Sequence, residues 1–260
     1  MAGPDELLAL AVEAATAAAD LLMAGLHQTR ATISTKTTVT DMVTEMDHAS
    51  EVLLRDRLLG ARPDDAFLGE ETGELAGTSG VRWVVDPLDG TTNYLYGHPG
   101  FNVSVAAEDG DGTIVGVVVD ALLADTFTAS RGGGARRNGV PIACSSASQA
   151  ATALVATGFA YDPTRRGKQA EVLSLVLPVV RDIRRMGAAA ADLCSVACGR
   201  VDAYYERGLG PWDWAAGSLI ASEAGARVGG QDELGYHLAA PPALFDALRT
   251  ILDAAGAASA

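Results

Sequence analysis

The run Val81-Arg82-Trp83-Val84-Val85 leads into Asp86-Pro87-Leu88-Asp89-Gly90-Thr91-Thr92-Asn93, and no other stretch constrains the fold as strongly. Val and Trp favour a buried strand, and Pro87 offers no N–H to a ladder, so the strand is expected to end there. Asp86 and Asp89 then fall on either side of a tight turn centred on Pro87-Leu88. Gly90 frees the backbone after the second acid, and Thr91-Thr92-Asn93 reads as the first turn of a short helix. Two carboxylates facing the N–H groups of a helix start can hold a divalent cation with a phosphate beside it. Asp-Pro-x-Asp-Gly is also ordinary turn chemistry. The functional reading therefore depends on further acids at matching places.

The pattern Leu7, Leu10, Ala14, Ala18, Leu21, Leu22 predicts a helix from Asp5 to about Gln28, with Pro4, Asp5 and Glu6 at its start. A second helix is expected over 47–59, ended by Gly60 and Pro63, and Ala66–Gly69 reads as a short strand delivering Glu70 and Glu71. After a loop and the central stretch come two strands, 101–107 and 113–119, joined by an acidic turn. The layout so far is α+β. Beyond Ser145-Ser146-Ala147-Ser148 helices and strands alternate, so the chain divides into halves 1–145 and 146–260 that act as one unit. Helices are expected over 168–181, kinked at Pro178, over 188–199, from Pro211 to about Ala224, and from Pro241 or Pro242 to about Ala255. A strand is expected over Val201–Glu206. Arg165, Arg166 and Lys168 read as a solvated loop.

Composition narrows the class. With 260 residues, 48% hydrophobic and 20% charged, the chain is that of an ordinary globular protein. A net charge of −14 argues against a nucleic-acid or acidic-membrane surface. Pro4, Asp5 and Glu6 stand where a basic leader would sit, and no apolar run reaches the roughly 18 residues of a membrane span, so a cytoplasmic location is expected. Cys144, Cys194 and Cys198 have no nearby histidine and no zinc-like spacing; they read as small buried side chains.

Five acids stand at the ends of expected elements: Asp47, Glu70, Asp86, Asp89 and Asp213. Carboxylate oxygens without His or Cys select hard cations, Mg²⁺ above all. Gly69-Glu70-Glu71, then Asp86-Pro87-Leu88-Asp89-Gly90-Thr91-Thr92-Asn93, then Trp212-Asp213 with Ala215-Ala216-Gly217 and Glu223-Ala224-Gly225-Ala226, resemble the signatures of the inositol monophosphatase family. Lys36, the segment Asp41 through Asp47 and Tyr204-Tyr205-Glu206 extend the resemblance over nearly the whole chain.

That resemblance implies a layered αβαβα sandwich with the site between its halves, and a homodimer. It implies a Mg²⁺-dependent, Li⁺-sensitive phosphatase with two or three ions, acting on a small phosphate ester. Glu70, Asp86 and the Leu88 carbonyl would hold one ion, Asp86, Asp89 and Asp213 a second, and Glu70 with water a third. Thr91, held by Asp47, would orient and help deprotonate the attacking water, and the N–H groups of Gly90 and Thr91 would bind phosphate. Glu206, Asp89 and the backbone around Ala189 would contact a polyol, which favours inositol monophosphate. Ala188 departs from the commoner Gly-Ser/Thr-Ala-Ala wording, so the resemblance does not carry over one hydroxyl contact. Fructose 1,6-bisphosphate, a broad range of small phosphates, and a regulatory protein retaining the site are the alternatives.

Overall fold

The computed structural model describes residues 3–26, 33–35 and 42–260, with 33–35 and 42–44 as backbone alone. Lys36, Asp41 and the expected helix end at Gln28 lie outside the described residues.

The first helix, α1 (Pro4–Gly25), starts on Pro4 with Asp5 and Glu6 in its first turn. Strands β1 (Ile33–Thr35) and β2 (Met42–Thr44) pair antiparallel ahead of α2 (Glu45–Ala61). Next come β3 (Ala66–Gly69), β4 (Gly73–Leu75), β5 (Arg82–Asp89), α3 (Thr91–Tyr96), β6 (Asn102–Asp109), β7 (Gly112–Asp120), β8 (Asp125–Ser130), β9 (Gly134–Arg137) and β10 (Val140–Pro141). These strands form an eight-stranded sheet in the order β10-β9-β8-β7-β6-β5-β3-β4, antiparallel apart from β3 beside β5.

The remainder supplies β11 (Leu154–Thr157), α4 (Pro163–Val176), β12 (Asp182–Arg184), α5 (Ala189–Ala197), β13 (Ala203–Glu206), α6 (Pro211–Glu223), β14 (Arg227–Gly229), α7 (Gln231–Leu234), β15 (His237–Ala240) and α8 (Pro242–Ala254). Its five-stranded mixed sheet runs β12-β11-β13-β15-β14.

Strand periodicity sorts the side chains into layers. On β5, Trp83 and Val85 face a core shared with Leu7, Leu22 and Leu54 of α1 and α2. Val84 points the other way, into a core with Leu193 of α5 and Ala216 and Ile220 of α6. On β13, Tyr204 joins that middle core, while Ala203 and Tyr205 face Val172 of α4 and Leu244, Phe245 and Leu248 of α8. The result is the αβαβα sandwich. Small residues let its middle layer sit close: a Cβ at Gly116 on β7 would lie 2.8 Å from the Ala216 carbonyl on α6. Asp125, buried on β8, accepts from Arg137 at 2.6 Å and from Arg200, just beyond α5, at 2.7 Å, which ties the large sheet to the middle layer.

Several expectations need correction. Pro87 does not end β5, which runs on to Asp89; the ladder pairs Asp86 with Ser104, breaks, and resumes at Asp89 with Asn102. Proline sits where a bulge needs no donor, so the acids flank a bulge rather than a turn. The helix expected over 168–181 starts at Pro163, capped by Asp162, and stops at Val176 before the short 3₁₀ turn holding Pro178. Arg165, Arg166 and Lys168 therefore lie on a helix and not in a loop. The strand expected from Val201 begins at Ala203. Strands β1, β2, β4, β8, β9, β10, β11, β12, β14 and β15 have no counterpart among the strands expected from the sequence.

Helix α1 is long and apolar enough to cross a membrane by length and composition, contrary to the expectation that no such segment exists. Its apolar face is nonetheless an internal surface, with Leu7, Ala11, Ala14, Ala15, Ala18 and Leu22 buried against the large sheet and α2.

Candidate metal centre

The bulge in β5 is held open by its own side chains. Leu88 N–H donates to Asp86 Oδ1 at 3.0 Å, and Ser50 Oγ on α2 donates to the Pro87 carbonyl at 2.8 Å. Gly90 then turns the chain with φ 89°, a left-handed conformation. A Cβ there would lie 2.6 Å from the Gly100 carbonyl, so only glycine fits. Beyond it α3 begins. Thr91 Oγ1 lies 3.3 Å from Asp47 Oδ2 and 3.2 Å from the Leu88 carbonyl, and its single proton serves one acceptor at a time. Asn93 reaches across to the Met186 carbonyl at 2.8 Å, tying α3 to the segment before α5.

Asp89 is fixed from the opposite side. The N–H groups of Ala189 and Ala190, the first residues of α5, donate to its Oδ1 at 3.1 Å and Oδ2 at 2.8 Å, and Asn102 Nδ2 adds a third bond at 2.8 Å. The helix terminus thus holds a carboxylate where its unpaired donors and dipole favour one. Asp213 stands in the first turn of α6 and accepts from the Gly210 N–H at 2.6 Å. Ser104 Oγ donates to the Trp212 carbonyl at 3.2 Å, which seats that helix start on β6. Glu70 follows β3 directly. Its loop is gripped by Glu51 of α2, buried to 1% exposure, which accepts from the N–H groups of Glu71 at 2.8 Å and Thr72 at 2.7 Å.

One carboxylate oxygen each from Asp86, Asp89 and Asp213 lie within 4.8 Å of one another. Glu70 stands outside that trio but lines the same cleft of about 170 Å³, together with Leu88, Gly90, Thr91, Ala189 and Glu206. Asp47 sits behind Thr91. Burial raises the pKa of Asp86 well above the usual carboxylate value, and Glu70, Asp89 and Asp213 push it further. Asp213 is raised by burial, then by Asp89 and Glu70. Asp89 is raised by burial, against which Asn102 and the α5 N–H groups act. Such a cluster favours bound protons or a multivalent cation, and its all-oxygen donor set suits a hard cation.

The family model described as the inositol monophosphatase family matches residues 4–254. The chain belongs to the inositol monophosphatase family. It is 47% identical over 205 residues to the inositol-1-monophosphatase SuhB of Mycobacterium tuberculosis, covering 75% of this chain and 71% of that protein. It is 39% identical over 224 residues to the Escherichia coli protein named Nus factor SuhB, covering 85% and 84%. Among solved structures, that of Mycobacterium tuberculosis SuhB superposes with a TM-score of 0.85 at 41% identity and covers 98% of both chains.

On the far wall of this family member's cleft, Glu206 ends β13 and accepts from the Tyr204 hydroxyl at 2.7 Å. Burial lifts its pKa from the ordinary 4.5 to about 7, against the pull of Tyr204 and Arg185. Ala189 lines the cleft, with its N–H directed at Asp89. Trp212 and Trp214 pack beside the site, Trp214 at 4.4 Å between ring centres from His237. Cys194 is buried in α5 as a free thiol; Cys144 and Cys198 are free and half-buried.

Three contributors were not read from the sequence. Glu51 holds the loop that carries Glu70 and Asn102 holds Asp89, each from another element, and Arg207 lines the cleft next to Glu206. Arg207 alone left a signal, a cation directly after the acid that ends β13.

Proposed function

We propose that the protein is a Mg²⁺-dependent phosphomonoesterase that hydrolyses inositol monophosphate to inositol and phosphate. The close approach of the Asp86, Asp89 and Asp213 oxygens in a cleft also lined by Glu70 carries this reading. In it, Glu70, Asp86 and the Leu88 carbonyl would hold one ion and Asp86, Asp89 and Asp213 a second, with Glu70 and water for a weaker third. Bound there, magnesium supplies Lewis acidity that activates water and neutralises the leaving oxygen of an in-line displacement. Thr91 Oγ1 orients the attacking water and takes its proton, passing its own to Asp47 Oδ2 at 3.3 Å. The N–H groups of Gly90 and Thr91 face the phosphate, while Glu206 and Asp89 accept hydroxyls of the polyol. No side chain need serve as nucleophile.

The deciding experiment measures released phosphate over a panel of inositol monophosphate, fructose 1,6-bisphosphate and other small esters, with and without EDTA. Inositol monophosphate is expected to be the best substrate, with activity abolished by chelation and lowered by millimolar Li⁺. Faster hydrolysis of another ester would move the substrate, and turnover in excess EDTA would remove the mechanism.

Glu206 gives this reading a pH signature. An acid whose folded pKa is raised stabilises the fold most below its ordinary value, and that contribution is lost as pH climbs from 4.5 to about 7. Hydroxyl binding wants the carboxylate, so KM for inositol monophosphate should fall as pH rises through about 7. Glu206→Gln is expected to flatten that profile; an unchanged inflection would take Glu206 out of substrate binding.

The same reading places the enzyme in the cytoplasm as a homodimer, with 1–145 and 146–260 as two halves of one working unit. The relatives named Nus factor SuhB favour a second reading, in which the chain binds a macromolecular partner as a regulator. A purified chain that binds such a partner and releases no phosphate from any ester would support it.

A further inference from the structure

We propose that Gly158 is the positioning residue that aims Glu206, and that its missing side chain lets the cleft tell a polyol ester from an ester without hydroxyls. That role rests on the phosphatase reading, which supplies the contact between Glu206 and a substrate hydroxyl.

Gly158 follows β11 directly and lines the cleft together with Glu206. Strands β11 and β13 are parallel, with Ala156 opposite Tyr204 and Thr157 opposite Tyr205. One step further, that register sets Gly158 beside Glu206. Residues two apart share a face of a sheet, so Ala156 and Gly158 stand on the face that carries Tyr204 and Glu206. Ala156 and Tyr204 both belong to the middle core. In each pair a small residue stands next to a large one.

The glycine answers to Glu206 and not to its own backbone. Gly158 is not among the glycines with positive φ, so an L side chain is compatible with its conformation. An added Cβ would nonetheless meet Cδ, Oε1 and Oε2 of Glu206 well inside 3.0 Å, and these are the three atoms nearest to it. The carboxyl group therefore fills the space that any side chain at 158 would take. Glycine in a strand packs weakly and marks a close approach; here the approaching group is the acid of the cleft wall. Tyr204 holds that acid from its own strand, donating to Oε2 at 2.7 Å. A larger residue at 158 would drive the carboxylate off this seat. None of the three atoms such a residue would first meet belongs to the metal cluster. The cost should fall on binding of the polyol, because a contact remote from the reacting phosphorus is made alike in the ground and transition states.

The test measures kcat and KM for Gly158→Ala on inositol 1-phosphate and on p-nitrophenyl phosphate, whose leaving group carries no further hydroxyl. Both are run with Glu206 present and in a Glu206→Ala background. With Glu206 present, Gly158→Ala is expected to raise KM for inositol 1-phosphate by about 10- to 100-fold, the worth of a hydrogen bond to a charged group, with kcat little changed. The rise for p-nitrophenyl phosphate should be smaller by about tenfold or more, since no hydroxyl contact is there to lose. In the Glu206→Ala background the added methyl meets no carboxylate and should cost nothing further. Equal rises on both esters, no rise on either, or a loss that persists without the Glu206 carboxylate would overturn the role. If Gly158→Ala fails to fold, Gly158→Ala/Glu206→Ala should fold, and a double variant that also unfolds would end the proposal. If wild type hydrolyses neither ester, the phosphatase reading fails and the seat is decided by NMR titration of the Glu206 carboxyl group. Its midpoint should move from about 7 toward 4.5 in Gly158→Ala as the acid leaves its burial; an unmoved midpoint would remove the seat as well.

Discussion

Asp89→Asn is expected to lower the rate of ester hydrolysis by at least about a thousandfold, beyond the loss of one preorganised electrostatic contact, while the fold persists. The carboxylate is shared between tasks. Its oxygens take bonds from Ala189, Ala190 and Asn102, and one oxygen faces Asp86 and Asp213. Asparagine keeps the shape and an acceptor oxygen, so most of the seat survives, but it turns an amide N–H₂ toward one former partner and removes a negative charge from the ion's surroundings. Phosphate release should fall to background, Mg²⁺ binding by calorimetry should weaken, and circular dichroism should match wild type. A variant that hydrolyses at the wild-type rate would remove the metal assignment. One that loses its fold would leave it to Asp213→Asn, whose loss touches a single backbone bond, from Gly210.

Magnesium is expected to raise the melting temperature, and to raise it more at pH 8 than at pH 5.5. Asp86, Asp89 and Asp213 all have raised pKa values in the metal-free fold, chiefly through burial. The folded state therefore holds protons that the unfolded chain has released, and metal-free stability declines as pH rises above the ordinary carboxylate range. Ion binding requires the carboxylates and displaces those protons, so affinity grows with pH. At a hundredfold excess over Kd the gain is about 2.7 kcal/mol. At about 2 to 4 °C per kcal/mol for a chain of this size, the shift is easily read by calorimetry. Equal shifts at both pH values, or the same shift in Asp213→Asn, would count against the cluster as the ion's seat.

What could be read in the sequence was what local chemistry decides. The apolar run into Asp86, the helix start after Gly90 and Asp213 in the opening turn of α6 all came from adjacent residues, and each is where it was expected. Pro87 misled because its neighbours on β6 decide whether a strand ends: the ladder skips a step and resumes at Asn102. Strands β14 and β15, three and four residues long, are set by pairing with each other and with β13, which no short window displays. Glu51 reads as one more acid on an exposed helix, since its partners at Glu71 and Thr72 lie some twenty residues on. Arg165 reads as part of a solvated loop because Asp162 and Pro163, which start α4, are equally ordinary turn residues.

The seat of Asp89 has a consequence for assembly. This acid comes from the large sheet, yet the Ala189 and Ala190 N–H groups that hold it belong to the first turn of α5, which the chain reaches a hundred residues later. Asp213 arrives later still, on α6. A chain folded only through its first sheet would hold the acids of β5 without the donors that aim them, and would have little grip on a divalent ion. On the proposed function, hydrolytic competence would be a checkpoint that the polypeptide passes once, when its last layers dock, and a titration with the ion would read out completion of the whole architecture.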